Sequence, residues 1–322
     1  MVAAPIATAA VCYGDLADRE VKVEPAAQAQ APSRPAQLRQ VQSGQAESRP
    51  ALSRRHEAGA GSARGMLFTL LGEFVLPDEG AAWTSAVLAA FDRLGVAEKA
   101  TRQALMRTSN AGWLTAEKVG RRTRWLLTPA ATQLLTDGAR RIYSFGPAQA
   151  WDGQWVLVQV RIPEADRRAR HVVRTRLAWA GFGSLGPGLW ISPHAARQPE
   201  AIRVLSEAGV ASDAHVFVAR RAGLSDTRDM VAAAWDLPQI EAEYEQFVAE
   251  FRAPAVPSDV LLRQLELVHA WRKFPALDPE LPRELLPPRW MGNKAADLFS
   301  DRHARWADDA RREWQRLNSD PE

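Results

Sequence analysis

Lys99, Arg102, Arg107, Lys118, Arg121, Arg122 and Arg124 all fall between Val96 and Trp125, and only Glu98 and Glu117 oppose them. Such a concentration of positive charge can neutralise the phosphates of a nucleic acid. Its spacing allows more than that. On a helix, positions three and four apart share a face. With Ala100, Ala104, Leu105 and Thr108 turned to a core, Lys99, Arg102, Gln103, Met106 and Arg107 turn outward. Arg can grip a guanine edge through two hydrogen bonds, and Gln an adenine edge. Arg121 and Arg122 follow Gly120 at the tip of an expected hairpin, where they suit phosphates or the minor groove. A charged face turned to solvent is the alternative, with Arg102 merely paired to Glu98. A basic tip so soon after a basic helix favours duplex DNA, and the DNA-binding candidates are Lys99, Arg102, Gln103, Arg107, Arg121, Arg122 and Arg124.

Other chemistry finds little support. Cys12 is the single cysteine, so neither an internal disulfide nor a cysteine-rich metal site is available. No G-x-S-x-G occurs, which leaves nucleophilic catalysis without a candidate. His56, His171, His194, His215, His269 and His303 show no metal-ligand spacing. Asp308 and Asp309 read as a solvated helix face. The run Gly181 to Gly186 matches G-x-G-x-x-G, but it follows a helix and leads into a strand, the reverse of a dinucleotide site. Those glycines are expected to make tight turns. Trp151, Trp155, Trp179 and Trp190 could line a pocket for a flat ligand, with core packing the simpler use. No catalytic residue, metal site or cofactor is expected.

The pattern of apolar residues indicates what positions these side chains. Met66, Leu67, Leu70, Leu71, Phe74 and Val75 recur at helical spacing up to Pro77. Thr84 opens a second helix ended by Gly95, and Glu98 to Ala111 form a third. Two short runs around Gly120-Arg121-Arg122 make the hairpin. Three helices and a hairpin compose a winged helix-turn-helix, and Pro129 to Tyr143 a linking helix. From Trp151 the order becomes strand (155–162), helix (165–180), a short strand (182–185), strand (188–192), helix (200–208) and strand (215–219). That is the ferredoxin-like βαββαβ pattern. From Ser225 the chain reads as all-helical: 227–235, 238–251, 258–274, a proline-dense stretch, then about 292–317. The expected fold class is α+β multidomain. A disordered Ala/Gln/Pro-rich extension (1–62) precedes the winged helix-turn-helix (63–128) and the linking helix (129–146). A ferredoxin-like central domain (147–222) and a helical C-terminal domain (223–322) complete it.

Composition is that of a soluble globular protein. The chain has 322 residues, 46% hydrophobic and 25% charged, enough for two or three domains. Net charge is +3, yet 36 of 41 basic residues are Arg, so placement matters more than the total. No stretch reaches the ~20 apolar residues of a membrane span. No Lys or Arg precedes the mildly apolar start, as a secretory signal would need. The expected place is the bacterial cytoplasm, at the nucleoid.

Several motifs in fixed order carry a resemblance. Leu70-Leu-Gly-Glu-Phe-Val75, Thr101-Arg-Gln-Ala-Leu105, Gly112-Trp-Leu114 and Val119-Gly-Arg-Arg122 resemble the N-terminal winged helix of the PaaX family, repressors of bacterial phenylacetate degradation. Trp151-Asp-Gly-Gln-Trp155, Arg176-Leu-Ala-Trp-Ala-Gly-Phe-Gly183 and Pro187-Gly-Leu-Trp-Ile-Ser-Pro193 look like its central domain. Trp271-Arg-Lys-Phe-Pro275, Asp278-Pro279 and Leu285-Leu-Pro287 look like its C-terminal domain. The resemblance spans roughly 63–310. It implies a homodimeric repressor on a palindromic operator, released by an acyl-coenzyme A, most of all phenylacetyl-coenzyme A. It also implies a central unit shaped like the small nuclease-like protein of CRISPR spacer acquisition. There an Asp ends the first strand and binds metal; the matching position here is Arg161, a cation that cannot ligate Mg²⁺. A metal-dependent nuclease on the ferredoxin-like domain is the competing reading. Coenzyme A phosphates would want Arg, and the central helix offers Arg167, Arg168, Arg170, Arg174 and Arg176. A solvated face explains the same residues.

Overall fold

A computed structural model describes residues 62–78, 80–145, 151–223, 226–253 and 258–319. The expected disordered extension, with Cys12 and His56, lies outside the described residues up to position 61. Helix α1, Ala63–Leu70, is capped by Ser62, whose side chain accepts a bond from the Gly65 amide. It runs straight into a π-helical turn, Leu71–Val75. The apolar stripe Leu67, Phe68, Leu70, Leu71, Phe74 and Val75 is buried, as its spacing predicts.

Strand β1 (Ala81–Trp83) leads into helix α2 (Thr84–Arg93). Gly95, at φ 70°, takes the left-handed conformation that turns the chain into helix α3, Glu98–Asn110. Strands β2 (Leu114–Val119) and β3 (Arg122–Leu127) form the hairpin. Gly120, at φ 60°, is the first of its two turn residues, a place that needs glycine. β1 adds to the far edge of β3, giving the antiparallel order β1-β3-β2. That small strand is absent from the sequence reading, because three residues carry no usable alternation. Helix α4, Pro129–Tyr143, has Thr128 as its cap and Pro129 in its first turn.

The central unit follows the expected order: β4 (Gln154–Val160), α5 (Arg167–Trp179), β5 (Gly183–Gly186), β6 (Leu189–Ser192), α6 (Gln198–Glu207) and β7 (Ala214–Arg220). Its strands lie in the order β5-β6-β4-β7, every neighbour antiparallel, which is the ferredoxin-like arrangement. Alternation along β4 divides the sheet's faces. Val156, Val158 and Val160 pack with Val173, Leu177, Val204 and Leu205 of the two helices. Trp155, with Ile191 of β6, packs instead with the C-terminal helices.

Those helices are α7 (Thr227–Ala234), α8 (Leu237–Phe251), α9 (Val260–Trp271), the single turn α10 (Phe274–Leu277) and α11 (Met291–Asn318). Their core is aromatic. Tyr244 stacks on Phe274 at 4.1 Å between ring centroids, and Trp271 on Phe299 at 4.7 Å. Tyr244 donates to Asp278 at 2.7 Å, and burial pushes that carboxyl's pKa up. Trp155 and Trp190 sit in different clusters on opposite faces of the sheet, so these tryptophans line no common pocket.

Two features tie the units together. Leu261 and Leu265 of α9, and Ala310 and Trp314 of α11, belong to the same buried cluster as α1, α2 and α3. The first unit therefore completes its core with side chains from the last. Between the central unit and the C-terminal helices, Arg197 donates to the Pro279 carbonyl at 3.0 Å and to Glu280 at 2.7 Å. Its guanidinium lies over Gly181, where a Cβ would come within 1.6 Å of it.

Candidate nucleic-acid interface

Helix α3 shows the two faces its spacing predicts. Thr101, Ala104, Leu105 and Thr108 are buried. Lys99, Arg102, Gln103, Met106 and Arg107 are all exposed. Ala100, expected inward, is half-buried, and Thr101 takes the inner place, bonding back to the Ala97 carbonyl at 3.3 Å. The hairpin is pinned where it leaves the helices. Trp125 of β3 donates to the Thr84 hydroxyl at 2.9 Å, and Thr84 donates to the Thr123 carbonyl at 3.0 Å. Its tip, with Lys118, Arg121 and Arg122, is exposed.

The candidates differ in what already holds them. Among the described residues, the side chains of Lys99, Arg107 and Arg121 have no hydrogen bond or ion pair. Arg102 donates from Nε to Glu98 at 2.7 Å, one turn back on the same face. Arg124 is paired in the same way. It lies opposite Glu117 across the hairpin and binds it at 3.1 Å, so its charge is already compensated. Both pairs are exposed and contribute little stability, about 0.2–1 kcal/mol each. A phosphate could displace either carboxylate. The set that remains is a row of cations on one helix and a second group at a hairpin tip, both in the unit built on one buried cluster.

A cluster that the sequence reading missed lies behind this unit. Glu73, in the π-helical turn, is almost fully buried and gathers three partners from three elements. Gln264 of α9 donates to it at 2.8 Å, His303 of α11 lies 2.9 Å away, and Tyr143 of α4 donates to the other oxygen. Burial alone would raise its pKa. The hydrogen bond and charge of His303, with the bonds from Tyr143 and Gln264, outweigh burial and hold the carboxyl below the usual range. Next to it a small crevice, with room for about one water (≈ 20 Å³), is lined by Phe68, Gly72, Tyr143 and Arg272 among others. Arg272 donates to the Gly65 carbonyl at 2.8 Å and to Thr69 at 3.0 Å. A charged residue inside the apolar run Leu70-Leu-Gly-Glu-Phe-Val75 was the available signal. The other side of the same unit is held by Arg93, which reaches Glu313 of α11 at 2.7 Å. Arg316 and Arg93 hold the Glu313 carboxyl down, at about 2.

Arg161 directly follows β4 and is exposed. Among the described residues no three His, Cys, Asp or Glu are grouped to hold a metal. No helix among them is long and apolar enough to cross a membrane.

Comparison with known proteins matches three consecutive family models. Residues 62–131 match a PaaX-like protein, 148–231 the PaaX protein central Cas2-like domain, and 235–316 the PaaX-like protein C-terminal domain. The chain is 33% identical over 255 residues to the transcriptional repressor PaaX of Escherichia coli (strain K12), covering 74% of this chain and 78% of the relative. A solved structure of an uncharacterized protein from Mycobacterium tuberculosis has a similar fold. Its TM-score is 0.56 at 22% identity, over 79% of this chain and 99% of that one. With every unit matched in order, and a repressor a third identical over most of its length, the chain belongs to the PaaX family.

Proposed function

We propose that this protein is a transcriptional repressor that reads duplex DNA through a winged helix-turn-helix. In this reading α3 enters the major groove and the β2–β3 hairpin is the wing. The observation that carries it is the outward row Lys99, Arg102, Gln103 and Arg107, with a buried face opposite and a basic tip following. Arg102 and Gln103 face base edges; Lys99, Arg107, Arg121 and Arg122 face phosphates. The protein acts as a homodimer on a palindromic operator, its two α3 helices about one helical turn apart, ~34 Å.

An acyl-coenzyme A, phenylacetyl-coenzyme A first among them, releases it. The effector must favour an arrangement that fits DNA poorly, and a tenfold loss of affinity needs about 1.4 kcal/mol of coupling. The shared core of α1, α2 and α3 with α9 and α11, and the bonds at Glu73, give such a shift a physical route. The expectation of a repressor, not an enzyme, rests on the PaaX relative and on a cation, Arg161, at the end of β4.

The test is selection of genomic fragments by the purified full chain, followed by gel shift of the recovered duplex in Mg²⁺ with and without phenylacetyl-coenzyme A. A discrete shift of uncut DNA, reversed by the thioester, is the expected result. Cleavage of the duplex, or selection of no common sequence, would overturn the reading.

A further inference from the structure

Helix α5 carries a charge pattern that the fold itself does not use. Ala169, Val173 and Leu177 face the central core. The opposite side presents Arg167, Arg168, His171 and Arg174, all exposed. Among the described residues these three arginines have no ion pair or hydrogen bond from their side chains. Their neighbours are handled differently. Arg176 pairs with Glu207 of α6, and Arg170 donates to the Glu164 carbonyl. On α6, Arg203 binds both Glu200 and Glu207. So the carboxylates of the two helices, Glu200 and Glu207, hold Arg203 and Arg176, and none is paired with this stripe. Arg170 stands three residues after Arg167 and four before Arg174, and like charges so spaced on a helix destabilise it.

We propose that the outer face of α5 is a second phosphate-binding surface, and that its occupant is the sugar–phosphate backbone of the duplex held by α3. This rests on the DNA-binding reading above. Two observations favour a duplex over a small phosphate-bearing ligand. The first is shape. A nucleotide-sized ligand wants a concave site, whereas the stripe runs along the exposed side of a helix, and neither the crevice at Glu73 nor the groove between α2 and α11 is lined by α5. The second is length. Arg167 to Arg174 spans seven residues, about 10.5 Å of helix. That equals the axial rise of about three phosphates of one strand, 3.4 Å of duplex axis each. Arg161, exposed at the end of β4 just before this helix, adds a further cation with no side-chain partner among the described residues.

The experiment uses the full chain and a 40-base-pair duplex of mixed sequence, with affinity followed by fluorescence anisotropy over a range of salt. Three proteins are compared with wild type: R167S/R168S/R174S, the same three positions changed to Lys, and R121A/R122A at the hairpin tip. Melting temperatures confirm that each is folded. The serine variant should bind at least about tenfold more weakly at low salt, and its log–log salt slope should fall by up to about 2.7 for three lost phosphate contacts. The lysine variant should keep most of the slope, because a phosphate responds to charge. An unchanged slope in the serine variant overturns the proposal. If the tip variant still lowers the slope, the DNA-binding reading survives that failure. If the serine variant weakens binding and the tip variant does not, the hairpin is taken off the DNA while α5 stands. A parallel titration with coenzyme A covers the other source of phosphate. Coenzyme A binding that is lost in the serine variant, with the duplex slope unchanged, would give the surface to a small ligand and overturn the duplex assignment.

Discussion

Replacing Arg102 by Ala separates a reader of bases from a prop of the helix. Its Nε is occupied by Glu98 at 2.7 Å, while the terminal guanidinium nitrogens have no partner among the described residues. The side chains of Arg102 and Glu98 are 55% and 66% exposed. As a prop, the pair is an exposed i, i+4 bridge of about 0.3–0.5 kcal/mol. Losing it would barely move the melting temperature or the affinity. As a reader, Arg102 offers a fork to a guanine, and Glu98 fixes its direction. The lost base contact then costs about 1–3 kcal/mol, which is roughly fivefold to 150-fold in affinity. The loss falls on the operator and not on random duplex, because Lys99 and Arg107 remain. Glu98→Ala gives the complementary signature. It removes a carboxylate from a face that meets phosphates, so binding to every duplex should tighten. Binding selection on randomised half-sites reads both effects: Arg102→Ala should relax one base-pair position per half-site. If the variant returns the wild-type preference at every position, Arg102 reads no base and the recognition surface has been drawn in the wrong place.

Arg121→Ala with Arg122→Ala should weaken binding to all duplexes and lower the salt slope by up to about two; an unaltered slope takes the hairpin off the DNA. Glu73, whose folded pKa lies below its unfolded value, contributes stability that is present above the ordinary glutamate range and is lost as pH falls through the folded value. Urea midpoints against pH should therefore fall more steeply in acid for wild type than for Glu73→Gln, and parallel curves would refute the buried-carboxylate account. Gly188→Ala places a Cβ 2.2 Å from the Val160 carbonyl oxygen at φ 73°, whereas Gly209→Ala has the same φ and open space around it. The second should cost only the left-handed penalty of about 1–2 kcal/mol and the first distinctly more, so equal melting temperatures would contradict the packing at β6.

How far the sequence could be read depended on distance along the chain. The two faces of α3 were legible because 3.6-residue periodicity is local, and so were the glycine turns at Gly95 and Gly120. The pairing of Arg124 with Glu117 was within reach. Once Gly120 and Arg121 are taken as the turn, Val119 faces Arg122 and Glu117 faces Arg124. The three residues of β1 were not legible, since their strand character comes wholly from pairing with β3. Nor was the sharing of cores. Leu261, Leu265 and Trp314 have the spacing of residues that serve their own helices, and nothing local reveals a debt to α1 and α2. Glu73 is the intermediate case. Its type marks it as anomalous in an apolar run, but its partners, 70 to 230 residues away, had to be found in space.

The shared core has a consequence for how the protein is made. Trp314, with no exposed surface, fills the cluster begun by Leu67 and Phe91. Four residues later Asn318 accepts from the Trp83 amide at 2.9 Å and donates to the Ala81 carbonyl at 3.0 Å, closing the outer edge of β1. Synthesis runs from the amino end, so α1, α2 and α3 leave the ribosome well before the helix that completes their core. Until α11 has emerged and folded back, that unit keeps an open hydrophobic seam and an unpaired strand edge. A chain cut short before α11 lacks the pieces that close this unit, so the face that carries Lys99, Arg102 and Arg107 is fully supported only once α11 is in place.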